Sequence, residues 1–397
     1  MLNILWKVLL PPIMAQQFDL LIIGGGVLGA FHVYHALEKG YRVALLERNS
    51  SPQGSSVQNF GQIVPSGMDR KWQQYGRVSL EIYKEIQSKF DISVRQNGSV
   101  YIASDEDELL LLEELAQINK DQDYTSQLWT AKECLSRYDG LRSDYCKGGL
   151  FFPDEITLEP RVAIGRILAY LVAHRNLQYF PNTLAIGAYI GLGKCVVETS
   201  NKDTFYANKV LICNGYEMKT LFPDIYEKSD LVLVKLQMLR LEQQLGQQIP
   251  GSILTGRSIR RYESFRECPS YSAVKSRALP DALATDWGIH ILFKQAVDGS
   301  IILGDSHEYA DIKEADTLGT AIKYPLNDLM LEAAKSIFDL QNWNVADAWA
   351  GTYTQCKNQD IFQHTIDGQI HLLTGIGGKG MTASAGFAAE HINTLGL

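Results

Sequence analysis

The stretch Asp19–Gly29, DLLIIGGGVLG, runs from an apolar strand into the pattern Gly24-x-Gly26-x-x-Gly29, and a helix then leads to a second apolar strand, Arg42–Glu47, RVALLE. This arrangement is typical of a βαβ unit that binds a dinucleotide. Gly24 allows the tight turn after the strand, Gly26 lets the backbone approach a pyrophosphate, and Gly29 lets the helix pack close to the strand. The helix N-terminus offers unpaired N–H groups and a positive dipole end to the phosphates.

An acid at the end of the second strand, Glu47, has the position expected of a ribose ligand. Its carboxylate can accept hydrogen bonds from the ribose hydroxyls, and its charge disfavours a 2′-phosphate. Val27 and Leu28, inside the glycine turn, and Arg48, after the acid, complete the cofactor contacts expected here. A glycine turn in an ordinary βαβ unit is the alternative, but the strand, the helix and the terminal acid together favour binding.

Two further stretches favour FAD over NAD as the dinucleotide. Ala207–Gly215, ANKVLICNG, predicts a buried strand that returns to the nucleotide fold and brings the backbone of Cys213 and Gly215 close to the cofactor. Leu372–Gly386, LLTGIGGKGMTASAG, is a strand, a glycine-rich loop and a helix start, and this helix N-terminus suits the electron-rich end of a reduced flavin. Glycine-rich turns at opposite ends of the chain suit a cofactor that is held at both ends.

Composition narrows the class of protein. The chain has 397 residues, 46% of them hydrophobic, with a net charge of −8, which predicts about two or three domains and disfavours a nucleic-acid surface. The six cysteines form no CxxC pair, so we expect reduced thiols in a cytoplasmic protein, with no disulfide framework and no metal site.

The first residues, 1–13, form an apolar N-terminal extension that holds Pro11 and Pro12. It is too short to span a bilayer. Two interpretations fit it: a tail docked on the surface, or a natural start at Met14. We expect no membrane span elsewhere.

The order of the elements predicts an α/β protein with a discontinuous Rossmann-like FAD-binding domain and an inserted substrate domain built on a mixed or antiparallel β-sheet. The expected FAD-binding domain comprises 14–90, 150–230 and 345–397. The expected substrate domain comprises 91–149 and 231–344. Within it, 245–286 reads as irregular and polar, and Pro325–Leu340 reads as a helix.

From Phe18 to Leu397 the chain resembles the FAD-dependent D-amino-acid, glycine and sarcosine oxidase family. Besides the N-terminal glycine pattern, the resemblance rests on four elements: Gln58–Pro65 (QNFGQIVP), Lys235–Arg240 (KLQMLR), Trp349–Gly351 (WAG) and Gly375–Met381 (GIGGKGM). The loop Ser55–Gly61, the segment Ser300–Glu308 and the C-terminal loop are most similar to a bacterial subgroup linked with phosphonate catabolism.

This resemblance implies an extended FAD with its ring between the two domains. The substrate gives hydride from the carbon next to nitrogen to flavin N5, the imine hydrolyses, and O₂ or another acceptor reoxidises the flavin. The resemblance also implies ring contacts from two loops and the Trp349 turn: Ser55, Ser56, Asn59, Phe60, Gly61, Gly351, Gly378, Lys379, Gly380, Met381 and Thr382. We expect noncovalent binding, although Cys356 lies near that turn.

The chain departs from the family where relatives hold a substrate carboxylate with cations. Those positions carry Tyr353, Gly378 and Thr382 here, and Asn59–Gln62 also lacks the arginine of sarcosine oxidases. A plain amino acid would bring an unpaired carboxylate into a partly desolvated site, which is costly. The departures therefore favour a different anion.

A group of arginines in the irregular segment offers replacement cations: Arg257, Arg260, Arg261 and Arg266, beside Tyr262. Guanidinium groups match tetrahedral oxyanions such as phosphonate well. We expect Arg261 and Tyr262 to point inward. The alternative is a solvated loop with surface salt bridges.

Two histidines lie where relatives place pocket residues, His290 on a strand and His307 after the next strand. Either can accept a proton from the substrate ammonium or contact its anion, and a satisfied core histidine is the alternative. The other histidines are interpreted as structural.

The sequence thus predicts FAD-dependent oxidation of a C–N bond in a small anionic amine, with aminophosphonates and their N-methyl derivatives first. An ordinary D-amino-acid, glycine or sarcosine oxidase is the alternative within the same class. A tRNA-modifying flavoprotein, disfavoured by the charge of −8, and a noncatalytic flavin-binding subunit are the alternatives from other classes.

Overall fold

A computed structural model describes residues 17–278 and 280–397. The expected N-terminal extension, 1–13, and the alternative start at Met14 lie outside the described residues. Within those residues, no helix has the length and apolar character needed to cross a membrane.

The strands alternate with helices along the first half of the chain and cluster in its second half. The strands are β1 (Gln17–Ile23), β2 (Val43–Leu46), β3 (Gln62–Ile63), β4 (Ser99–Ala103), β5 (Gln127–Thr130), β6 (Gly148–Phe152), β7 (Ile156–Thr157), β8 (Gln178–Phe180), β9 (Ala185–Gly191), β10 (Lys194–Thr199), β11 (Thr204–Ile212), β12 (Leu231–Gln243), β13 (Ser252–Leu254), β14 (Leu292–Gln295), β15 (Ser300–Asp311), β16 (Val345–Cys356), β17 (Phe362–Ile366) and β18 (Ile370–Thr374). The α-helices are α1 (Val27–Glu38), α2 (Arg70–Lys89), α3 (Glu106–Asp121), α4 (Ala131–Arg137), α5 (Pro160–Arg175), α6 (Pro223–Glu227), α7 (Gly256–Ile259), α8 (Tyr271–Arg277), α9 (Ala282–Trp287), α10 (Tyr324–Lys335) and α11 (Gly380–His391).

The first sheet has the order β17-β18-β11-β1-β2-β8, with β10 and β9 attached beside β11. Strands β1, β2, β8, β11 and β18 run parallel, and their near-continuous apolar runs suit burial on both faces. Helices α1, α2, α5 and α11 share one hydrophobic core with this sheet. The Asp69 side chain caps α2 by accepting from Trp72 N, which satisfies one of the free N–H groups at the start of that helix.

The second sheet has the order β16-β12-β15-β14-β13-β4-β6-β5. Most of its pairs are antiparallel, and β13 pairs with β4 in parallel, so the sheet is mixed. The predicted fold class, a Rossmann-like domain joined to a mixed-sheet domain, is confirmed.

Two strands, the segment 245–286 and the end of α10 differ from the expectations from sequence. Strand β6 and strand β16 pair within the second sheet, whereas the expected boundaries put most of β6, from residue 150, and all of β16 with the FAD-binding domain. The prediction that 245–286 is irregular was wrong in part, because β13, α7, α8 and α9 lie there. These elements are short, three to seven residues each, so they give almost no periodic signal in the sequence. Helix α10 ends at Lys335, earlier than expected.

Candidate active site

The glycine turn between β1 and α1 has backbone geometry that excludes side chains. Gly24 has a φ of +103°, and a Cβ there would lie 2.3 Å from the Cys213 carbonyl oxygen. A Cβ on Gly29 would lie 2.0 Å from the Gly24 carbonyl oxygen. The turn therefore depends on glycine at both positions, for the left-handed conformation and for close helix packing respectively.

Glu47 is buried beside this turn. One carboxylate oxygen accepts from Gly25 N at 2.9 Å and the other accepts from Asn49 N at 2.9 Å. The oxygen bound by Asn49 N also accepts from Asn49 Nδ2 at 3.3 Å. The oxygen bound by Gly25 N has a lone pair left to accept a further hydrogen bond. Ser56 reaches the same turn, where its Oγ accepts from Val27 N at 2.9 Å.

A cavity of about 850 Å³ is lined by elements of both sheets. It holds most of the residues expected to bind cofactor: Gly26, Val27, Leu28, Ser55, Ser56, Asn59, Phe60, Gly61, Cys213, Gly215, Gly351, Gly378, Lys379, Gly380, Met381 and Thr382. Gly24, Gly29, Glu47 and Arg48 are not part of this lining. Gly24, Gly29 and Glu47 instead fix the conformation of the turn between β1 and α1, through the backbone contacts described above.

The lining fits FAD. The N-termini of α1 and α11 both lie on the cavity wall, where they supply N–H groups and positive dipole ends to phosphate and to flavin. Gly215 and Gly378 leave open space where a side chain would stand, with nothing within 4 Å of a Cβ. Backbone is therefore available for close approach by a flat ring and a pyrophosphate.

The loop expected beside the flavin ring is held in shape by its own side chain. Asn59 Nδ2 donates to the carbonyl oxygens of Ser55 and Ser56, both at 2.9 Å, and Asn59 Oδ1 accepts from Gly61 N at 2.9 Å. Gly61 has a φ of +77°, and a Cβ there would lie 2.4 Å from the Leu158 carbonyl oxygen. The amide of Asn59 is therefore committed to the loop.

Lys379 does not present a free ammonium group to the cavity. Its Nζ lies 3.1 Å from a Glu263 carboxylate oxygen and 3.4 Å from one of Asp360, and it sits 5.3 Å from the centre of the Trp72 ring. Any contact of Lys379 with the flavin therefore has to come from its backbone.

The arginine group divides into outward and inward members. Arg257 pairs with Asp281 at 2.6 Å, and Arg260 pairs with Asp105 at 2.6 Å. Arg261 lines the cavity, donating from Nη1 to the Gly288 carbonyl oxygen at 3.1 Å. Among the described residues, no carboxylate lies within 4.0 Å of its guanidinium group, so its charge has no direct counter-ion.

Arg266 also lines the cavity, although its side chain is exposed. Tyr262 and Tyr353 line the cavity beside Arg261, and burial raises the pKa of both phenols well above the ordinary value. Both phenols are therefore neutral hydrogen-bonding groups at neutral pH.

His290 and His307 meet on the same wall, with their rings stacked 5.5 Å apart. Between them lies Asp305, a residue that the sequence reasoning missed. His290 Nε2 lies 3.0 Å and His307 Nδ1 lies 3.7 Å from Asp305 Oδ1. The available signal was the short pattern Asp305-x-His307 at the end of an apolar strand.

The charges of this trio follow from burial. Burial lowers the pKa of both imidazoles, that of His307 to about 3. Burial alone would raise the pKa of the Asp305 carboxyl, but the two histidines and Arg261 outweigh it and hold this pKa well below its usual range. At neutral pH the trio is one carboxylate between two neutral imidazoles.

The same three residues offer donor atoms within 4.8 Å of one another, close enough for a metal ion. Arg261 Nη1, however, lies 3.4 Å from His307 Nδ1. A permanent positive charge at that distance opposes a second cation on the same nitrogen.

Comparisons with known proteins agree with this architecture. Sarcosine dehydrogenase from Mus musculus, a mitochondrial protein, is 27% identical over 173 residues, which are 43% of this chain and 19% of that relative; the match spans about a fifth of the curated relative. The structure of L-α-glycerophosphate oxidase from Mycoplasma pneumoniae with FAD bound has a TM-score of 0.76 at 18% identity, covering 96% of this chain and 95% of that one. Glycine oxidase from Geobacillus kaustophilus has a TM-score of 0.71 at 15% identity, covering 95% and 94%.

The decisive comparison is with a family model, described as DAO, FAD dependent oxidoreductase, which matches residues 19–393. The chain belongs to this family of FAD-dependent oxidoreductases.

Proposed function

We propose that this protein oxidises a C–N bond in a small amine that carries a non-carboxylate anion, with an aminophosphonate or its N-methyl derivative as the first candidate. One observation carries the proposal. Among the described residues, Arg261 lines the cavity without a carboxylate partner. The positions where relatives in the family hold a substrate carboxylate with cations carry Tyr353, Gly378 and Thr382 in this chain.

The chemistry around Arg261 suits a tetrahedral oxyanion. Its guanidinium can donate to two oxygens at once, a geometry that phosphonate matches well. Arg261 Nη2 already lies 3.4 Å from the Tyr309 hydroxyl, and the neutral phenols of Tyr262 and Tyr353 line the same cavity. Hydroxyl donors next to a guanidinium can serve the third oxygen of a phosphonate, which a carboxylate lacks.

When bound, FAD accepts the hydride that leaves the carbon next to nitrogen. The chain itself has to orient the amine and take up its proton, because an ammonium nitrogen has no free electron pair to form the imine. His290 and His307 are neutral at pH 7 and line the cavity. A neutral imidazole has a free lone pair that can accept this proton, and the pKa of about 3 makes His307 a weak base for this step.

The similar proteins lend support to two substrate classes. One structural neighbour is named as a glycerophosphate oxidase, which supports a phosphate-like anion in a site of this fold. A curated relative is named as a sarcosine dehydrogenase, which supports sarcosine and glycine as the second candidates.

The test is a substrate panel on the purified, FAD-loaded protein. Anaerobic bleaching of the flavin is measured with 2-aminoethylphosphonate, its N-methyl form, glycine, sarcosine and glycerol 3-phosphate. We expect the highest kcat/KM with one of the two aminophosphonates. A preference for glycine or sarcosine would return the protein to the ordinary amino-acid oxidases, and a preference for glycerol 3-phosphate would reject oxidation at nitrogen.

A further inference from the structure

Asp305 is a charged group that the proposed function leaves without a role. It lines the cavity and is 8% exposed. Its Oδ1 atom is buried 3.0 Å from His290 Nε2. Among the described residues, no hydrogen bond ends on the other carboxylate oxygen, Oδ2, which is not one of the buried atoms. A charged oxygen that lies on a cavity wall without a protein donor indicates a ligand that donates to it.

The local charges define what that ligand is. Both neighbouring histidines are neutral at pH 7, because burial lowers the pKa of each. Asp305 therefore keeps a full negative charge. Arg261 holds the opposite charge in the same cavity, and no ion pair within 4.0 Å joins it to Asp305 or to any other described carboxylate. The cavity thus presents one positive and one negative group that do not neutralise each other directly.

We infer that Asp305 binds the amino group of the substrate, and that Asp305 and Arg261 together select molecules with an ammonium group at one end and an anion at the other. This inference rests on the proposed function, since it assigns the partner of the amine in the same site. An ammonium group carries three donors in a tetrahedral arrangement. One can serve Asp305 Oδ2, and the others can reach an imidazole nitrogen.

An ammonium group fits the trio better than a metal ion does. The Arg261 guanidinium stands 3.4 Å from His307 Nδ1, and a divalent ion on that nitrogen would meet this charge with only one carboxylate to offset it. An ammonium group has a single charge, which Asp305 balances. A zwitterion also brings its own anion to Arg261, so each of the two charges of the site meets an opposite charge when the site is filled.

The experiment compares matched ligands that differ only in the amino group. Calorimetric titration is run anaerobically on the FAD-loaded enzyme whose flavin has first been reduced with dithionite, so that the amino ligands bind without being oxidised. The pairs compared are 2-aminoethylphosphonate against ethylphosphonate and glycine against acetate. With Asp305→Asn, we expect the Kd of the amino ligand to rise about tenfold or more. The Kd of the ligand without an amino group should stay equal or fall, because a nearby negative charge has been removed.

Two variants separate this effect from damage to the protein. Asp316→Asn removes an exposed carboxylate whose partner, Lys219, lies outside the cavity lining, and it should leave all four Kd values unchanged. Asp305→Glu keeps the charge, so the preference for the amino ligand over its matched partner should persist even if both bind more weakly. FAD content and melting temperature are measured for each variant.

The outcomes are distinct. Equal weakening of the amino ligand and its matched partner in Asp305→Asn would overturn the inference, as would a stoichiometric metal ion in the purified enzyme that Asp305→Asn loses. If the phosphonates do not bind but Asp305→Asn abolishes the preference for glycine over acetate, Asp305 is still the amine ligand. In that case it is the aminophosphonate proposal that fails.

Discussion

Replacing Arg261 by alanine tests the anion-binding half of the site. The guanidinium lines the cavity, donates to the Gly288 carbonyl oxygen at 3.1 Å and lies 3.4 Å from both the Tyr309 hydroxyl and His307 Nδ1. Among the described residues it has no carboxylate within 4.0 Å, so its removal strands a substrate charge. The substitution also removes a positive charge that helps to hold the pKa of Asp305 low. Losing one member of such a desolvated charge pair costs about 2–5 kcal/mol.

That cost corresponds to a fall in kcat/KM of about 30-fold to 5,000-fold, at about 1.4 kcal/mol for each factor of ten. Arg261→Lys should recover only part of the loss, because a point charge cannot donate to two oxygens in parallel. The assay is steady-state kinetics on the best substrate of the panel, with FAD content measured in parallel. FAD content should stay normal, since Arg261 lies outside the turns expected to hold the cofactor.

The matched control is Arg257→Ala. Arg257 belongs to the same group of arginines but pairs with Asp281 at 2.6 Å, and we expect its removal to change kcat/KM by less than about twofold, as for most groups away from the site. An Arg261→Ala enzyme with unchanged kcat/KM would refute the reasoning. Equal losses in both variants would refute it too, because the effect would then belong to the segment and not to the inward guanidinium.

Three further predictions address the cofactor, the glycine turn and acid stability. Glu47→Gln should weaken FAD binding by about 1.5–3 kcal/mol without unfolding the chain, measured by FAD titration of the apoprotein; an unchanged Kd would show that Glu47 does not contact the ribose. Gly29→Ala should prevent FAD retention, since its Cβ would lie 2.0 Å from a carbonyl oxygen. Gly165 occupies an exposed position of α5 with open space where a Cβ would stand, so Gly165→Ala should raise the free energy of unfolding by about 0.5–1 kcal/mol. His32 Nε2 contacts His391 Nδ1 at 2.8 Å, and burial lowers the pKa of His32 to about 3 and that of His391 to about 4. Below pH 6.5 these histidines are therefore protonated in the unfolded chain but stay neutral in the folded protein. The free energy of unfolding should fall by up to about 1.4 kcal/mol per pH unit for each histidine as the pH is lowered from 6 to 4. Thermal unfolding across that range checks it, and a smaller slope in His32→Gln is expected; an unaltered slope would contradict the assignment.

The parts of the fold that the sequence predicted well are those with a strong local signal. The first glycine turn joins a buried strand to a helix within eleven residues, Asp19–Gly29, and the structure has β1 and α1 there. The strand predicted within Ala207–Gly215 matches β11, because an apolar run with β-branched residues that ends at Gly215 gives a strand signal. The direction in which each arginine of 257–266 points had no such signal, since it depends on acids far along the chain, such as Asp105 for Arg260.

Asp305 escaped the sequence reasoning for a reason that lies in the register of β14 and β15. Around their turn, Phe293 pairs with Leu303 and Leu292 with Gly304. If that register continued without interruption, His290 would lie opposite residue 306. Asp305 and His307 would then be on the same face of the sheet as Leu303, which packs in the hydrophobic core on the side away from the cavity.

The observed backbone bonds instead join His290 to Asp305 in both directions, at 3.2 and 2.9 Å. The ladder with β12 shows the same irregularity, since Met238 pairs with Gly304 while Gln237 pairs with Ser306. One extra residue in β15 therefore turns the following side chains to the opposite face. That shift carries Asp305 out of the core face and onto the cavity wall beside His290, where a carboxylate can meet an amine. A bulge of this kind leaves no mark on hydrophobic periodicity, so the pattern Asp305-x-His307 by itself did not show which face of the sheet these side chains occupy.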